Sequence, residues 1–505
     1  METGKTSETP RSIARSSLYG LTTWILPLGL SFVGTPIILK NLGVKEYGIY
    51  SLVIGFVSYS FYFNFGRAIT KYIAQYRISG ENDKIKDVIS ATLFINIIVG
   101  ILGLAIIYGV GDWLVVNFFH IEAADQRKTV ISLYLAALVV FFMLLGQVFN
   151  SILQGIHRFD AFSNIFNLNS LIMVSGNIFI VLSGYGLLSL LVWNVIITFL
   201  TFILAAFISK KLLPEFGINF KVNFDVFKLV MTYSAGIIGY QFLQNMLTLF
   251  ERGWITGKLG SENLTYYAVP MQLSIYIHAF ISSIMLVIFP LASELTNNKE
   301  KLLRLYLKAS KIVCLLVVFF AASLIIEGKI FLTLWINADF AEKTYLILCI
   351  HVVTFSLVAI QIISWNLVEG LGYPSYNLFI FVICLIINVL LIFLLTNDYG
   401  NVGVAIGRLG GFGITFFSVF YVEKWIFGKL QFKFWLRIVG TLSVSGIFGA
   451  LAEKFIISRF DISWITLVSA SLVGGIIYCL FIWMLGLISE DEKILFKNLL
   501  RRQNV

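Results

Sequence analysis

Leu42-Gly43-Val44-Lys45-Glu46-Tyr47-Gly48-Ile49-Tyr50-Ser51-Leu52 is answered 217 residues later by Leu259-Gly260-Ser261-Glu262-Asn263-Leu264-Thr265-Tyr266-Tyr267-Ala268-Val269, with the Leu-Gly pair and a Tyr at the same places in both. Two shorter matches follow in the same order. Gln154-Gly155 returns as Glu369-Gly370 at an offset of 215, and Tyr185-Gly186 returns as Tyr399-Gly400 at 214. Each match is weak alone, but shared order and near-constant spacing read as an internal duplication. The chain therefore divides into a first lobe at 1–210, a second at 211–424, and an appendage at 425–505.

The residues between these landmarks are those of a membrane protein. Hydrophobic residues make up 58% of the 505, charged residues only 13%, and the mean hydropathy is +0.89. Soluble domains are about a quarter charged, so lipid is the solvent of most of this chain. Cutting at clusters of charge, Pro and Gly leaves fourteen apolar runs of about 20 residues, each long enough to cross a bilayer. The first six are 18–39, 47–66, 88–110, 129–153, 162–183 and 185–208. The next six are 227–250, 265–290, 311–336, 344–368, 375–395 and 401–422, followed by 437–456 and 463–487. The fold class expected is an all-α integral membrane protein of about fourteen transmembrane helices. Equivalent spans lie six apart and so enter the membrane in the same direction, which makes the repeats parallel, as in one class of two-lobe transporters.

With the N-terminus inside, the inner segments hold 26 Lys and Arg against 10 in the outer loops, the bias that cytoplasmic loops carry. Both termini are expected in the cytoplasm. The run 18–39 is too long for a signal-peptide core and is read as the first span. The net charge of +10 is spread between apolar runs rather than gathered on a soluble face, which excludes nucleic acid as a partner. Cys314, Cys349, Cys384 and Cys479 lie far apart inside apolar runs and show no metal-ligand spacing. Gly4-Lys5-Thr6 lacks the upstream glycine and strand of a phosphate loop. The loops are too short for a catalytic domain, so no enzyme, cofactor or metal is expected.

Ser12-Ile-Ala-Arg15-Ser-Ser-Leu18, the segment Asn41–Leu52 with its Leu-Gly-x-x-Glu-Tyr-Gly-Ile-Tyr core, and Phe65-Gly-Arg67-Ala-Ile-Thr-Lys71-Tyr-Ile-Ala-Gln75-Tyr76 together resemble the polysaccharide-transport, or oligosaccharide flippase, branch of the multidrug/oligosaccharidyl-lipid/polysaccharide (MOP) exporter superfamily. The resemblance implies two six-helix lobes and alternating access. It also implies passage of a polyprenyl-diphosphate-linked oligosaccharide from the inner to the outer leaflet of the cell membrane. Membrane lipids, and the glycosyltransferases and polymerase of the same pathway, are its implied partners.

The candidate binding residues are polar groups inside or beside the spans. Arg408 sits within 401–422 beside Gly403, Gly407, Gly410, Gly411 and Gly413. A cation at the bilayer centre costs roughly 2.5–3.5 kcal/mol on insertion scales, so Arg408 either faces water, a counter-charge or an anionic ligand, or snorkels to the outer surface. The glycines are read as sites of close helix approach. His278, flanked by Ser274 and Ser282, is either a core histidine bonded to a neighbour or a cavity group that takes a proton or touches sugar. Gln241, Gln244, Asn245, Thr248, Glu251 and Arg252 form a stripe read as a wet cavity wall, the last two also fitting a rim ion pair. Gln147, Asn150, Ser151 and Gln154 add neutral hydrogen-bonding groups, as do Asn167, Asn177, Asn194, Thr198, Thr201, Gln361 and Ser364. Such a lining suits a polyhydroxylated sugar better than a greasy drug.

Arg15, Arg67, Lys71 and Arg77 gather at the inner mouth, where they fit the diphosphate of a lipid carrier. Ordinary positive-inside charge against anionic lipid is the competing reading. The leading function is that of a flippase. A cation-coupled multidrug exporter is the alternative within the superfamily, although the first span lacks the acidic residue such exporters use. A membrane polymerase or glycosyltransferase is the alternative of another class, and it would need a longer outer loop.

Overall fold

The computed structural model describes residues 10–63, 65–213, 217, 223–285, 298–371 and 373–488, and every element among them is helical. By compactness the chain forms two units, 1–265 and 266–505. The first holds α1 (Pro10–Leu42), α2 (Val44–Phe61), α3 (Gly66–Ser79), α4 (Asn82–Trp113), α5 (Ala123–Gly155), α6 (Phe159–Leu182), α7 (Leu187–Leu212) and α8 (Phe224–Leu259). Helix α9 (Ser261–Met285) starts at its end. The second unit continues with α10 (Lys299–Trp335), α11 (Ala338–Gly370), α12 (Pro374–Phe427), α13 (Phe432–Arg459) and α14 (Trp464–Met484). The repeat boundary at 210/211 concerns duplication rather than compactness, and we retain it as a proposal.

Among the described residues, ten helices are long and apolar enough to cross a membrane, or eleven if α2 and α3, bent by 49° at their break, count as one span. Helix α12 runs for 54 residues, about 80 Å if straight, but Gly400 (φ 54°, ψ −133°) breaks it into two halves. Fourteen passes require that α12 cross twice and that α9 and α8, the latter with five charged residues (Asp225, Lys228, Glu251, Arg252 and Lys258), cross as well. That count is our proposal. Large apolar side chains face outward along these helices, as at Phe179 and Ile465, 71% and 79% exposed, as lipid contact demands. Buried Thr92, Asn96, Thr129 and Ser132 each donate a side-chain hydrogen bond to a carbonyl one turn back.

The Leu42-Gly43 and Leu259-Gly260 pairs share one backbone conformation. Gly43 has φ 83° and ψ 158°, and Gly260 has φ 91° and ψ 163°, a left-handed φ that glycine adopts without a Cβ clash. Each ends one helix and starts the next. The two segments also touch. A Cβ on Gly48 would lie 1.9 Å from the Ser261 carbonyl oxygen, and Thr265 Oγ1 donates to the Val44 carbonyl at 2.8 Å. Since Val44 corresponds to Ser261 and Gly48 to Thr265, the contact is reciprocal. Beside it, Lys45 pairs with Glu122 and Asp125, and Glu46 with Lys128, which ties the start of α2 to the start of α5.

The core of the first unit lies where α3 crosses α4 and α5, around Ile69, Ile73, Ile89, Ile152 and Leu153. A Cβ on Gly155 would come within 3.2 Å of the Thr70 carbonyl oxygen, so α3 and α5 nearly touch there. In the second unit the two halves of α12 pack on the glycines expected to allow it. A Cβ on Gly411 would lie 2.8 Å from the Cys384 carbonyl oxygen, and one on Gly407 would lie 3.0 Å from the Ile392 nitrogen. Helices α10, α12 and α13 meet at fully buried Glu423. It accepts hydrogen bonds from the Tyr306 hydroxyl (2.8 Å), Trp435 Nε1 (2.6 Å) and the Gln431 backbone N–H (2.8 Å). Glu423→Ala strands three donors in a dry junction and is expected to destabilise the second unit by about 3 kcal/mol or more. Thermal unfolding in detergent checks this, and an unchanged midpoint would mean that water replaces the carboxylate.

Candidate functional site

A cavity of about 480 Å³ opens in the first unit, between the break joining α2 to α3 and the facing helices α5, α6 and α8. The break is bent, so Gly66, Arg67, Thr70 and Lys71 on the first turns of α3 look across at α5. There Gln147, Asn150, Ser151 and Gln154, spaced at three and four residues, present one polar face. Tyr62, Phe162, Phe166 and Tyr233 complete the wall. Thr70 Oγ1 donates to the Ser151 carbonyl at 3.2 Å and fixes α3 against α5. Lys71 Nζ lies 4.2 Å from the Tyr233 ring centroid, which holds the ammonium over an aromatic face.

The electrostatics of the lining are one-sided. Arg67 and Lys71 are exposed, one helical turn apart, and no lining residue is acidic. Opposite them, the buried amide oxygens of Gln147 and Asn150 make no hydrogen bond within the protein. The site thus offers two cations, a row of amides and hydroxyls, and aromatic faces, in a volume typical of pockets that enclose a drug-sized ligand. Phosphate oxygens suit the cations, and sugar hydroxyls suit the amides.

The seventh-span stripe divides. Gln241 Nε2 donates to the Tyr62 carbonyl at 3.3 Å and so borders the cavity. Gln244 is exposed, and Asn245 is buried. Arg252 braces α8 on α2, with Nη1 donating to the Ser51 carbonyl (2.5 Å) and hydroxyl (2.9 Å), in space that the missing Cβ of Gly55 leaves open. Arg15 lies on α1, its side chain outside the described residues. Other neutral polar groups zip helices together. Asn167 bonds Thr22, Thr201 bonds Asn169, and Asn194 bonds Tyr50.

In the second unit, His278 Nε2 is 3.3 Å from Ser282 Oγ on the same helix, and Ser274 bonds the Pro270 carbonyl. Arg408 is 6% exposed, with its guanidinium carbon 5.5 Å from the Phe355 ring centroid and 5.3 Å from that of Phe412. It stays inside the helix bundle. Below it, Thr415 Oγ1 donates to Gln361 Oε1 at 2.7 Å, continuing a polar seam between α11 and the second half of α12. Fully buried His351, whose ring meets Tyr267 edge-on at 4.7 Å, shares this region. An apolar groove of about 690 Å³ runs between α10 and α14, past Leu315, Phe319, Leu472 and Ile476.

Sequence reasoning did not single out Tyr62, Tyr233, Phe162, His351, Glu327, Glu423 or Glu453. The aromatics carry no local signal. The two acids inside the runs 311–336 and 437–456 did carry one, because an ionisable residue in a membrane span is a candidate by default.

Residues 40–344 match the family described as polysaccharide biosynthesis protein. A Shigella flexneri protein provisionally named an O-antigen transporter is 21% identical over 404 residues, covering 78% of this chain and 94% of its own. The lipid II flippase MurJ in an inward closed conformation superposes with a TM-score of 0.74 at 14% identity, over 93% of this chain and 98% of its own. An inward-facing multidrug resistance MATE transporter of the MOP superfamily gives 0.66 at 15% identity, over 82% and 95%. The likeness to these two structures is one of fold.

Proposed function

Since the chain belongs to the polysaccharide biosynthesis protein family, we propose that it is a flippase that carries a polyprenyl-diphosphate-linked oligosaccharide from the inner to the outer leaflet for assembly of cell-surface polysaccharide. It is a multi-pass membrane transporter and not an enzyme. We place it in the cell membrane with both termini in the cytoplasm, which puts the polar cavity at the inner mouth. The observation that carries the reading is that cavity, with Arg67 and Lys71 facing the amides of α5 and no acid in the lining. The cations take the diphosphate, the amides take the sugar, and the prenyl chain stays in lipid. The apolar groove of α10 and α14 has the lining such a chain prefers. Alternating access of two six-helix lobes moves the head group across, and glycosyltransferases and the polymerase of the pathway supply and consume it.

A multidrug exporter of the same fold would bind organic cations, which Arg67 and Lys71 repel. Purified protein in proteoliposomes, given a fluorescent polyprenyl-diphosphate sugar beside a cationic dye, separates the two. We expect the lipid-linked sugar to change leaflet and the dye to remain. Movement of the dye alone, driven by a proton or sodium gradient, would overturn the flippase reading.

A further inference from the structure

Two carboxylates are buried where α10, α13 and α14 meet. Glu327 of α10 is 4% exposed, and Glu453 of α13 is 2% exposed. Ser471 of α14 donates to Glu327 Oε2 at 2.7 Å, and Ser323 of α10 donates to Glu453 Oε1 at 2.7 Å. Ser323 and Glu327 are one turn apart on α10, so both acids look into one junction. Glu453 also lies against the backbone of Gly474, where a Cβ would come 2.4 Å from its Cγ, and Gly474 is one turn from Ser471. The remaining oxygens, Glu327 Oε1 and Glu453 Oε2, are buried and accept no hydrogen bond from the protein.

The surrounding helices supply hydroxyls and no charge. On α10, Lys329 is turned to Glu342 at 2.5 Å, and Lys311 points to the Leu487 carbonyl. On α13, Lys454 is exposed, Arg437 donates to the Gly486 carbonyl, and Arg459 sits over Phe455. Helix α14 carries no charged residue between Trp464 and Met484, and its Tyr478 hydroxyl is committed to the Leu315 carbonyl. From α11, Tyr345 bonds the Ile325 carbonyl. Two ionised carboxylates sharing a dry site repel each other and lose their hydration, so a positive charge must accompany them.

We propose that Glu327 and Glu453 form a binding site for one monovalent cation, a proton or an alkali ion, which ties the C-terminal helix pair α13–α14 to α10. Ser471 also lines the apolar groove, so occupancy of the site is linked to the groove's wall. The site is independent of the flippase reading.

The test is thermal unfolding of the purified full chain in detergent, from pH 6 to pH 9, in choline chloride and in sodium chloride. In choline the wild-type midpoint should fall by about 3 °C or more as the pH rises and the shared proton leaves. Glu327→Gln and Glu453→Gln, each still able to accept its serine hydrogen bond, should flatten that slope. If sodium restores the midpoint at pH 9, an alkali ion occupies the site; if it does not, the site belongs to the proton. The infrared carbonyl stretch of a protonated carboxyl, present at pH 6 and lost in Glu327→Gln, is the direct readout of the proton form. A wild-type midpoint that matches both variants at every pH and in both salts would overturn the proposal.

Discussion

Arg67→Glu combined with Lys71→Glu is expected to abolish passage of a polyprenyl-diphosphate sugar while leaving the protein folded and in the membrane. Both side chains are exposed at the cavity mouth, so reversing them removes no core packing. A hydrogen bond to a charged group contributes about 1.5–3 kcal/mol, so two lost phosphate contacts weaken binding by roughly 100-fold or more before repulsion is added. The single alanine variants should lie between, with Arg67→Ala the more damaging because its planar fork can grip two phosphate oxygens at once. Lys433→Glu on α13, an exposed lysine outside the cavity, serves as the control. Binding of a fluorescent polyprenyl diphosphate, titrated at two salt concentrations, is the measurement. Equal losses for Lys433→Glu and the cavity variants would show that general surface charge, not the site, holds the lipid.

Arg408→Ala should lower transport by about tenfold or more. The guanidinium is enclosed between Phe355 and Phe412, and the sequence keeps a cation buried there despite its cost. Alanine removes the charge and leaves a space between two rings. Thermal unfolding measured beside the transport rate separates the two effects. Transport lost with the midpoint held identifies a working charge. A fall in both that is repaired in both by Arg408→Met, which refills the space without the charge, would identify a packing residue.

The fold was largely legible because lipid imposes one rule on every span. Apolar runs bounded by charge became helices, most ends falling within about six residues of those expected, although the helices over 18–39 and 311–336 start at Pro10 and Lys299 and that over 227–250 runs on to Leu259; the break expected between 395 and 401 falls at Gly400. Helix α3 was not legible. Gly66–Ser79 alternates Arg67, Lys71, Gln75 and Arg77 with Ile69, Ile73 and Tyr76, so its mean polarity is that of a loop even though its apolar face is core.

At the site, Gln147, Asn150, Ser151 and Gln154, named together as neutral hydrogen-bonding groups of one span, lie on one face of α5 and line one cavity, since one helix face is a local property. What lies opposite a face is set by other helices. For that reason the stripe from Gln241 to Arg252 read as one wall, yet the fold assigns its ends to different partners, the Tyr62 carbonyl and Ser51. Tyr233 entered the cavity by the same long-range packing.

The reciprocal contact of Gly48 with Ser261 and of Thr265 with Val44 has the form of an isologous interface, in which residue i of one copy meets residue j of the other and j meets i. Homodimers make contacts of this kind across a two-fold axis. Here a single chain makes one between two of its own segments, Val44–Gly48 and Ser261–Thr265, so the start of α2 and the start of α9 brace each other as two subunits would, with no second chain needed.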